Sequence, residues 1–296
     1  MKTIRLLGKR RSWIGSLLAG AALCSVPGLL TSALAAETPL RYFPVGPIYE
    51  YRWKLLELAL AHTSDTGQTV KLAPFTEDIT QNRGMQLLQS GAIDVIALGT
   101  NAEREAQMLP VKIDILRGIV GYRLLVIRAA DQARIARMNE QALRKELTFG
   151  LNSQWADLPI MRANGLTVET SSSYENLFGM LVAGRFDAFP RGLNEANREL
   201  EERKQSYPQL AVEQGKALFF QYPVYFWVRK ENMALARRIE RGLKAALAEG
   251  SFRKLFESYH AAEIDMLAKS RRQVIRLANP VLPPGTPEVD TRWWWH

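Results

Sequence analysis

The sequence predicts an α/β fold made of two similar lobes. Three observations carry that prediction. Strands and amphipathic helices alternate along most of the chain, a helix–glycine–strand unit occurs twice, and about 260 residues follow an N-terminal export-type segment, enough for one large core or two smaller ones. Alternating strands and helices imply a mainly parallel sheet with helices on both faces.

The N-terminal segment is set aside first. It contains Lys2, Arg5, Lys9, Arg10 and Arg11, and no acidic residue before Glu37. An apolar run follows from Trp13 to Leu34 and ends in the small-x-small sequence Ala33-Leu34-Ala35. These are the marks of a secretory signal peptide over residues 1–35. Gly15, Gly20, Pro27 and Gly28 interrupt the run, which argues against the alternative of a membrane anchor. Arg10-Arg11-Ser12-Trp13-Ile14 also fits the core of a twin-arginine export signal, although paired basic residues are common in any signal peptide. Cys24, the one cysteine, falls in this segment and follows Leu23, where a lipoprotein signal needs a small residue. The rest of the chain has no thiol for a disulfide, a thiolate metal site or a cysteine nucleophile. It carries 34 Lys+Arg against 30 Asp+Glu, a balance of +4 that gives no reason to expect a nucleic-acid partner.

The elements then follow in order. Leu40–Phe43 reads as a strand, Pro44, Gly46 and Pro47 as a turn, and Tyr49–Ala61 as a helix with Trp53, Leu56 and Leu60 on one face. Gln68–Phe75 is a second strand. A helix over about 80–90 stops at Gly91 and leads into the buried strand Ile93–Leu98. Tyr122–Arg128 is a strand, 131–146 a mostly polar helix, and Leu147–Gly150 another strand leading into Asn152-Ser153-Gln154-Trp155. Gly165 ends the next helix. Ser172-x-x-Glu175 forms a capping box for a helix carrying Tyr174, Leu177, Phe178 and Leu181, which stops at Gly184 before the strand Phe186–Phe189. Residues 194–204 are charged and read as a solvated helix. Phe219–Val228 is aromatic and β-prone, about 233–248 is a long helix ending at Gly250, and a further helix starts at Ser251. The proline-rich tail 279–287 is extended.

Leu88-Gln89-Ser90-Gly91-Ala92-Ile93-Asp94-Val95 and Leu181-Val182-Ala183-Gly184-Arg185-Phe186-Asp187-Ala188 share Leu, Gly and Asp at identical spacing. Each reads as a helix, a glycine stop and a strand that delivers the next loop to a cleft.

The order of these pieces resembles the type 2 periplasmic solute-binding proteins, in particular the polar amino-acid receptors of ABC transporters. The residues that carry the resemblance are the Gly91–Val95 unit, Thr100 with Arg104, the Gly184–Ala188 unit and the helices from Leu235 to Phe256. The resemblance implies a discontinuous first lobe of residues 36–125 and 226–296, a second lobe of 126–225, and a hinge of two crossing strands. It also implies a periplasmic, monomeric protein that captures a small solute without catalysis or cofactor and passes it to an inner-membrane permease or reports it to a sensor. The Trp293-Trp294-Trp295 ending departs from the family pattern.

The resemblance makes Arg104 the match for the arginine that grips a ligand carboxylate, one residue later after Thr100 than is usual. A guanidinium suits this task because it offers two parallel donors; the plainer alternative is a surface arginine paired with Glu103 or Glu105. Where amino-acid receptors carry an ammonium-binding aspartate, this chain has Phe189-Pro190-Arg191-Gly192, so Arg191 points to an anionic solute unless it pairs with Asp187 or Glu195. Asn152 and Ser153 could hold an anion at a strand–helix junction or serve as an ordinary N-cap. Trp155, Tyr49, Tyr51 and Phe75 are candidate cleft aromatics, Trp155 and Tyr49 foremost, each otherwise a core residue. Arg83 reads as an exposed helix arginine that could face the cleft.

Two rival functions stand beside solute binding. One is an enzyme on the same fold, such as a dehydratase of small cyclic acids, which needs Glu195 or His260 as general acid in the cleft. The other is a degenerate signalling domain that docks partners through the tryptophan tail. His62, His260 and His296 show no metal-ligand spacing, and no nucleophile elbow, P-loop or dinucleotide fingerprint is present.

Overall fold

The computed structural model describes residues 39–43, 49–64, 70–77 and 80–294. The expected signal peptide 1–35, the turn at Pro44–Pro47, Trp295 and His296 lie outside the described residues. Strand β1 (Leu40–Tyr42), helix α1 (Glu50–Ala61) and strand β2 (Leu72–Pro74) form a parallel β–α–β unit. The buried face of α1 carries Tyr51, Trp53, Leu55, Leu56, Ala59 and Leu60. Helix α2 (Gln81–Ser90), capped by the Thr80 side chain, precedes β3 (Ile96–Gly99). Helix α3 (Ala102–Gln107), capped by Asn101, precedes β4 (Met108–Val111). A bridge between Tyr42 and Val95 sets β1 beside the start of the β3 segment.

Residues 112–121 then cross to a second sheet. It contains β5 (Tyr122–Arg128), the short helices α4 (Gln132–Arg137) and α5 (Glu140–Glu146), β6 (Thr148–Asn152), α6 (Asp157–Ala163), β7 (Thr167–Ser171), α7 (Tyr174–Val182), β8 (Ala188–Gly192), α8 (Ala196–Glu202) and β9 (Leu210–Phe220). The chain returns through 221–223 into β10 (Val224–Arg229), the middle strand of β3-β10-β4. Helices α9 (Met233–Glu249) and α10 (Ser251–Lys269) pack on α1, and β11 (Gln273–Leu277) closes the six-stranded order β11-β9-β5-β8-β6-β7. The result is the expected two-lobed α/β fold with crossing segments as hinge.

The repeated units do the same work in each lobe. Gly91 (φ 77) and Gly184 (φ 70) adopt the left-handed backbone that ends a helix and that other residues enter only at a cost. Asp94 accepts the backbone N–H of Arg41 at 2.7 Å, and Asp187 accepts that of Thr148 at 3.0 Å. An arginine braces each turn: Arg41 donates to the Gly91 carbonyl, and Arg128 donates to the carbonyls of Leu181 and Phe186. These aspartates fix neighbouring strands in register and are structural.

Several sequence expectations are corrected. The first crossing precedes β5, whereas the lobe boundary was expected at residue 125. Residues 273–277, expected in the first lobe, pair in parallel with β9 in the second sheet, because Ile275 and Leu277 bury beneath it. The 131–146 helix breaks at Met138–Asn139, where the Asn139 side chain accepts from Ala142 N and starts α5 afresh. The cap of α7 is Ser173, accepting from Asn176 N, in place of the Ser172–Glu175 box. Helix α8 is not fully solvated, since Ala196 and Glu199 are buried.

The hinge is tied from two sides. The buried Asp114 carboxylate accepts the N–H groups of Leu116 and Gly118 in the first crossing and of Val224 at the second. The C-terminal tail lies over the same place: Asp290 pairs with Arg117 at 2.5 Å, and the Trp294 indole donates to the Arg117 carbonyl at 2.7 Å. Trp293 packs against Phe252 and Phe256 of α10. Trp293 and Trp294 are therefore packed inward and do not form the exposed docking patch of the signalling alternative.

Candidate functional site

Two cavities open between the lobes and share Arg123 and Glu195. The larger, about 400 Å³, is walled by Gln81, Asn101 and Arg104 from the first lobe, Tyr222 from the hinge, and Gln154, Trp155, Asp157 and Arg191 from the second. The smaller, about 160 Å³, lies toward the hinge and α10, walled by Tyr49, Tyr51, Arg52, Leu116, Leu193, His260 and Glu263 among others. The loop after β3 supplies Asn101 and Arg104 to the larger cavity, and the end of β8 with the loop after it lines both, as open α/β sheets do.

Arg104 sits on the first turn of α3, and its guanidinium donates to the Gly99 carbonyl (2.7 Å) and to Gln81 Oε1 (2.8 Å). Among the described residues no carboxylate lies within ion-pair distance of it, so the surface pairing with Glu103 or Glu105 does not form. Glu105 instead accepts from Thr100 and Lys112. Tyr222 lies flat on Gly99: a β-carbon there would stand 2.4 Å from the ring, so glycine is what lets the phenol approach Arg104. Burial raises the Tyr222 pKa, and Arg104 pulls it the other way.

The second-lobe wall is charged but compensated. Arg191 makes a two-pronged pair with Glu199 (2.7 and 2.7 Å) and reaches Glu195 at 2.9 Å, while its plane stacks on Trp155, 4.5 Å from the ring centre. Arg123 pairs with Asp157 at 2.6 Å. The expectation that Arg191 brings a free positive charge to the cleft is thus overturned, because two carboxylates of its own lobe already neutralise it.

The other candidates separate into lining and supporting residues. Trp155 lines the larger cavity and is stacked on Phe189. Tyr49 lines the smaller one beneath the Arg52 guanidinium. Thr100 is buried and bonded to Glu105, which removes it from the wall. Asn152 is an internal cap, accepting from Gln154 N and donating to the Ser172 carbonyl, and the Ser153 backbone pairs with Ser171. Phe75 packs on the satellite core around Phe43 and Trp227, away from both cavities. Among the described residues, the Arg83 side chain bonds within its own helix, to Gln86.

Sequence reasoning missed Arg52, Arg123, Asp157, Gln81 and Tyr222. Arg123 did leave a signal, a charged residue inside an otherwise buried strand. Arg52 left little, since an arginine between aromatic positions on a helix looks like solvated edge. Glu195 and His260, the groups named for an enzymatic alternative, both line the smaller cavity.

His260 sits where α10 departs from helical geometry (φ −116°, ψ 18°), and its Nε2 is buried without a hydrogen-bond partner. Burial, with Arg52 nearby, lowers its pKa to about 4. The groups sharing its cavity are Arg52, Arg123, Glu195 and Glu263. Because the folded-state value lies below the unfolded one, stability is full above about pH 6.5 and falls as pH drops toward 4. Urea midpoints at pH 7.5 and 4.5 should show a His260-dependent loss approaching about 3 kcal/mol, absent from His260→Phe. An identical pH slope in the two proteins would contradict this placement of the ring.

No family model matches the chain, and no curated protein matches it. Solved structures do. An ancestral arginine-binding protein bound to arginine is 18% identical with a TM-score of 0.51, over 75% of this chain and 97% of that one. The BvgS VFT2 domain of Bordetella pertussis, as a double mutant, is 16% identical with a TM-score of 0.53, over 75% and 92%. A Salmonella typhimurium periplasmic binding protein described for high arginine specificity is 14% identical with a TM-score of 0.51, over 74% and 98%. At this identity the likeness is one of fold: the chain has the two-lobed fold of the type 2 solute-binding proteins.

Proposed function

We propose that this protein, built on the type 2 solute-binding fold, captures a small carboxylate-bearing solute between its lobes and acts by hinge closure, without catalysis. The observation that carries the reading is Arg104: a guanidinium facing the larger cavity, held by two neutral oxygens and matched by no described carboxylate. Such a group offers charge-assisted bonds to an incoming acid while its position is already fixed. Trp155 lines the same cavity from the second lobe, and closure about the 112–121 and 221–223 crossings would bring the lobes together on the solute. Structures sharing the fold are described with arginine or glutamine bound, which fits a ligand bearing a carboxylate.

Catalysis is disfavoured by the state of its two candidates. The Glu195 carboxylate is engaged by Arg191 and Gly192 N, and His260 with a pKa of about 4 is neutral imidazole near neutrality, a poor general acid. The basic, apolar N-terminal segment supports export to the periplasm, by the general secretory or twin-arginine route, and delivery of solute to an inner-membrane permease or a sensor.

Isothermal titration with organic acids and amino acids tests the reading. Arg104→Ala should weaken the best ligand by about 1.5–3 kcal/mol, roughly 10- to 150-fold. An unchanged affinity removes Arg104 from the site, and the absence of binding by any member of a broad panel removes the function.

A further inference from the structure

We infer that the smaller cavity is a second anion subsite built on Arg52, and that the solute is accordingly a dicarboxylate with one acid group on Arg104 and the other on Arg52. The inference rests on the reading of the cleft as a solute site and adds the chemical class of the guest.

Charge compensation carries the argument. Of the four arginines lining the cavities, Arg123 is matched by Asp157 and Arg191 by Glu199 and Glu195. Arg104 and Arg52 are left, one in each cavity. Arg52 is part-buried, and its described partners are one carbonyl, Ala97 O at 3.1 Å, and the face of the Tyr49 ring at 4.2 Å. A guanidinium has five N–H donors, so most of those on Arg52 remain for an incoming anion. Burial lowers the Arg52 pKa only to about 10, so the charge persists at neutral pH.

The surroundings suit a carboxylate. His260, neutral and close enough to feel the Arg52 charge, lines the same cavity and adds no competing charge to it. Leu116, Ile119 and Leu193 supply an apolar wall. Glu195, also present, is engaged through its Oε2 by Arg191 and Gly192 N, and Glu263 is part-buried, as Arg52 is. A space of about 160 Å³ holds the end of a solute, with the remainder in the larger cavity. Tyr222 lines the larger cavity beside Arg104 and lies within the electrostatic reach of Arg52.

The test is titration of the purified protein with the α,ω-dicarboxylates from malonate to adipate and with the monoamide of the best of them. The dicarboxylate should bind at least about tenfold tighter than its monoamide, as one further charge-assisted contact requires. Arg52→Gln should collapse that ratio to near unity, Arg52→Lys should keep part of it, and Arg104→Gln should weaken both ligands. A ratio unchanged in Arg52→Gln overturns the subsite. So does a wild-type protein that binds monocarboxylates but shows no preference for dicarboxylates, a result that leaves solute binding at Arg104 standing. Failure of every acid to bind would overturn the solute reading itself and the subsite with it.

Discussion

Replacing Arg191 with Met is expected to destabilise the protein by about 3–5 kcal/mol, the range for breaking one side of a buried ion pair. Arg191 and Glu199 are 7% and 4% exposed and joined by two bonds of 2.7 Å, with Glu195 at 2.9 Å and the Trp155 ring stacked over the guanidinium. Burial pushes the Glu199 carboxyl up, and the Arg191 guanidinium more than reverses that, holding it below the usual carboxylate range. Without the arginine, Glu199 would have to stay charged in a poorly solvated place or take up a proton. Urea unfolding at neutral pH measures the loss. Arg191→Met combined with Glu199→Met should recover most of it, because the pair's cost and gain vanish together. A single-variant loss below about 1 kcal/mol would mean that Arg191 is free to serve a ligand, contrary to the charge balance described above.

Trp294→Ala is expected to cost a similar amount, about 3–5 kcal/mol, as large aromatic deletions from cores do. The residue is 2% exposed, meets Tyr122 edge-on with ring centres 6.1 Å apart, and donates to the Arg117 carbonyl in the hinge. Its removal takes away area, an aromatic contact and a hydrogen bond that fastens the tail to the crossing segment. The neighbouring Asp290–Arg117 pair and the packing of Gly118 against Val289 and Thr291 make the tail part of the hinge's surroundings. A loss under about 1 kcal/mol on urea unfolding would show the tail to be an appendage.

The lobes were legible in the sequence because their signals are local. Gly91 and Gly184 end helices through a backbone conformation that a single residue announces, and Asp94 and Asp187 repeat at a spacing that survives in the fold. Arg104 was singled out by the family resemblance, as the arginine after Thr100, and it lines the larger cavity. What escaped were facts that depend on distant partners. Glu199 looked like one more charge on a solvated helix, and only the β8–α8 packing puts it against Arg191. The five-residue β11 follows a basic stretch and gains its identity from pairing with β9, some fifty residues earlier in sequence. Thr100, Asn152 and Phe75 had the right residue types near the right strand ends, yet local hydrogen bonds or core packing claim each of them. Arg52 is the converse case, a cleft residue whose helix position alone reads as solvent-facing.

The central claim is that Arg104 receives the acid group of a small solute in the gap between the lobes. Native mass spectrometry of the protein as purified, without refolding, tests it directly. The expected spectrum shows one added organic acid per chain, released on denaturation and greatly reduced in Arg104→Ala. A bound solute with no carboxylate, or the same acid retained equally by Arg104→Ala, would contradict the claim.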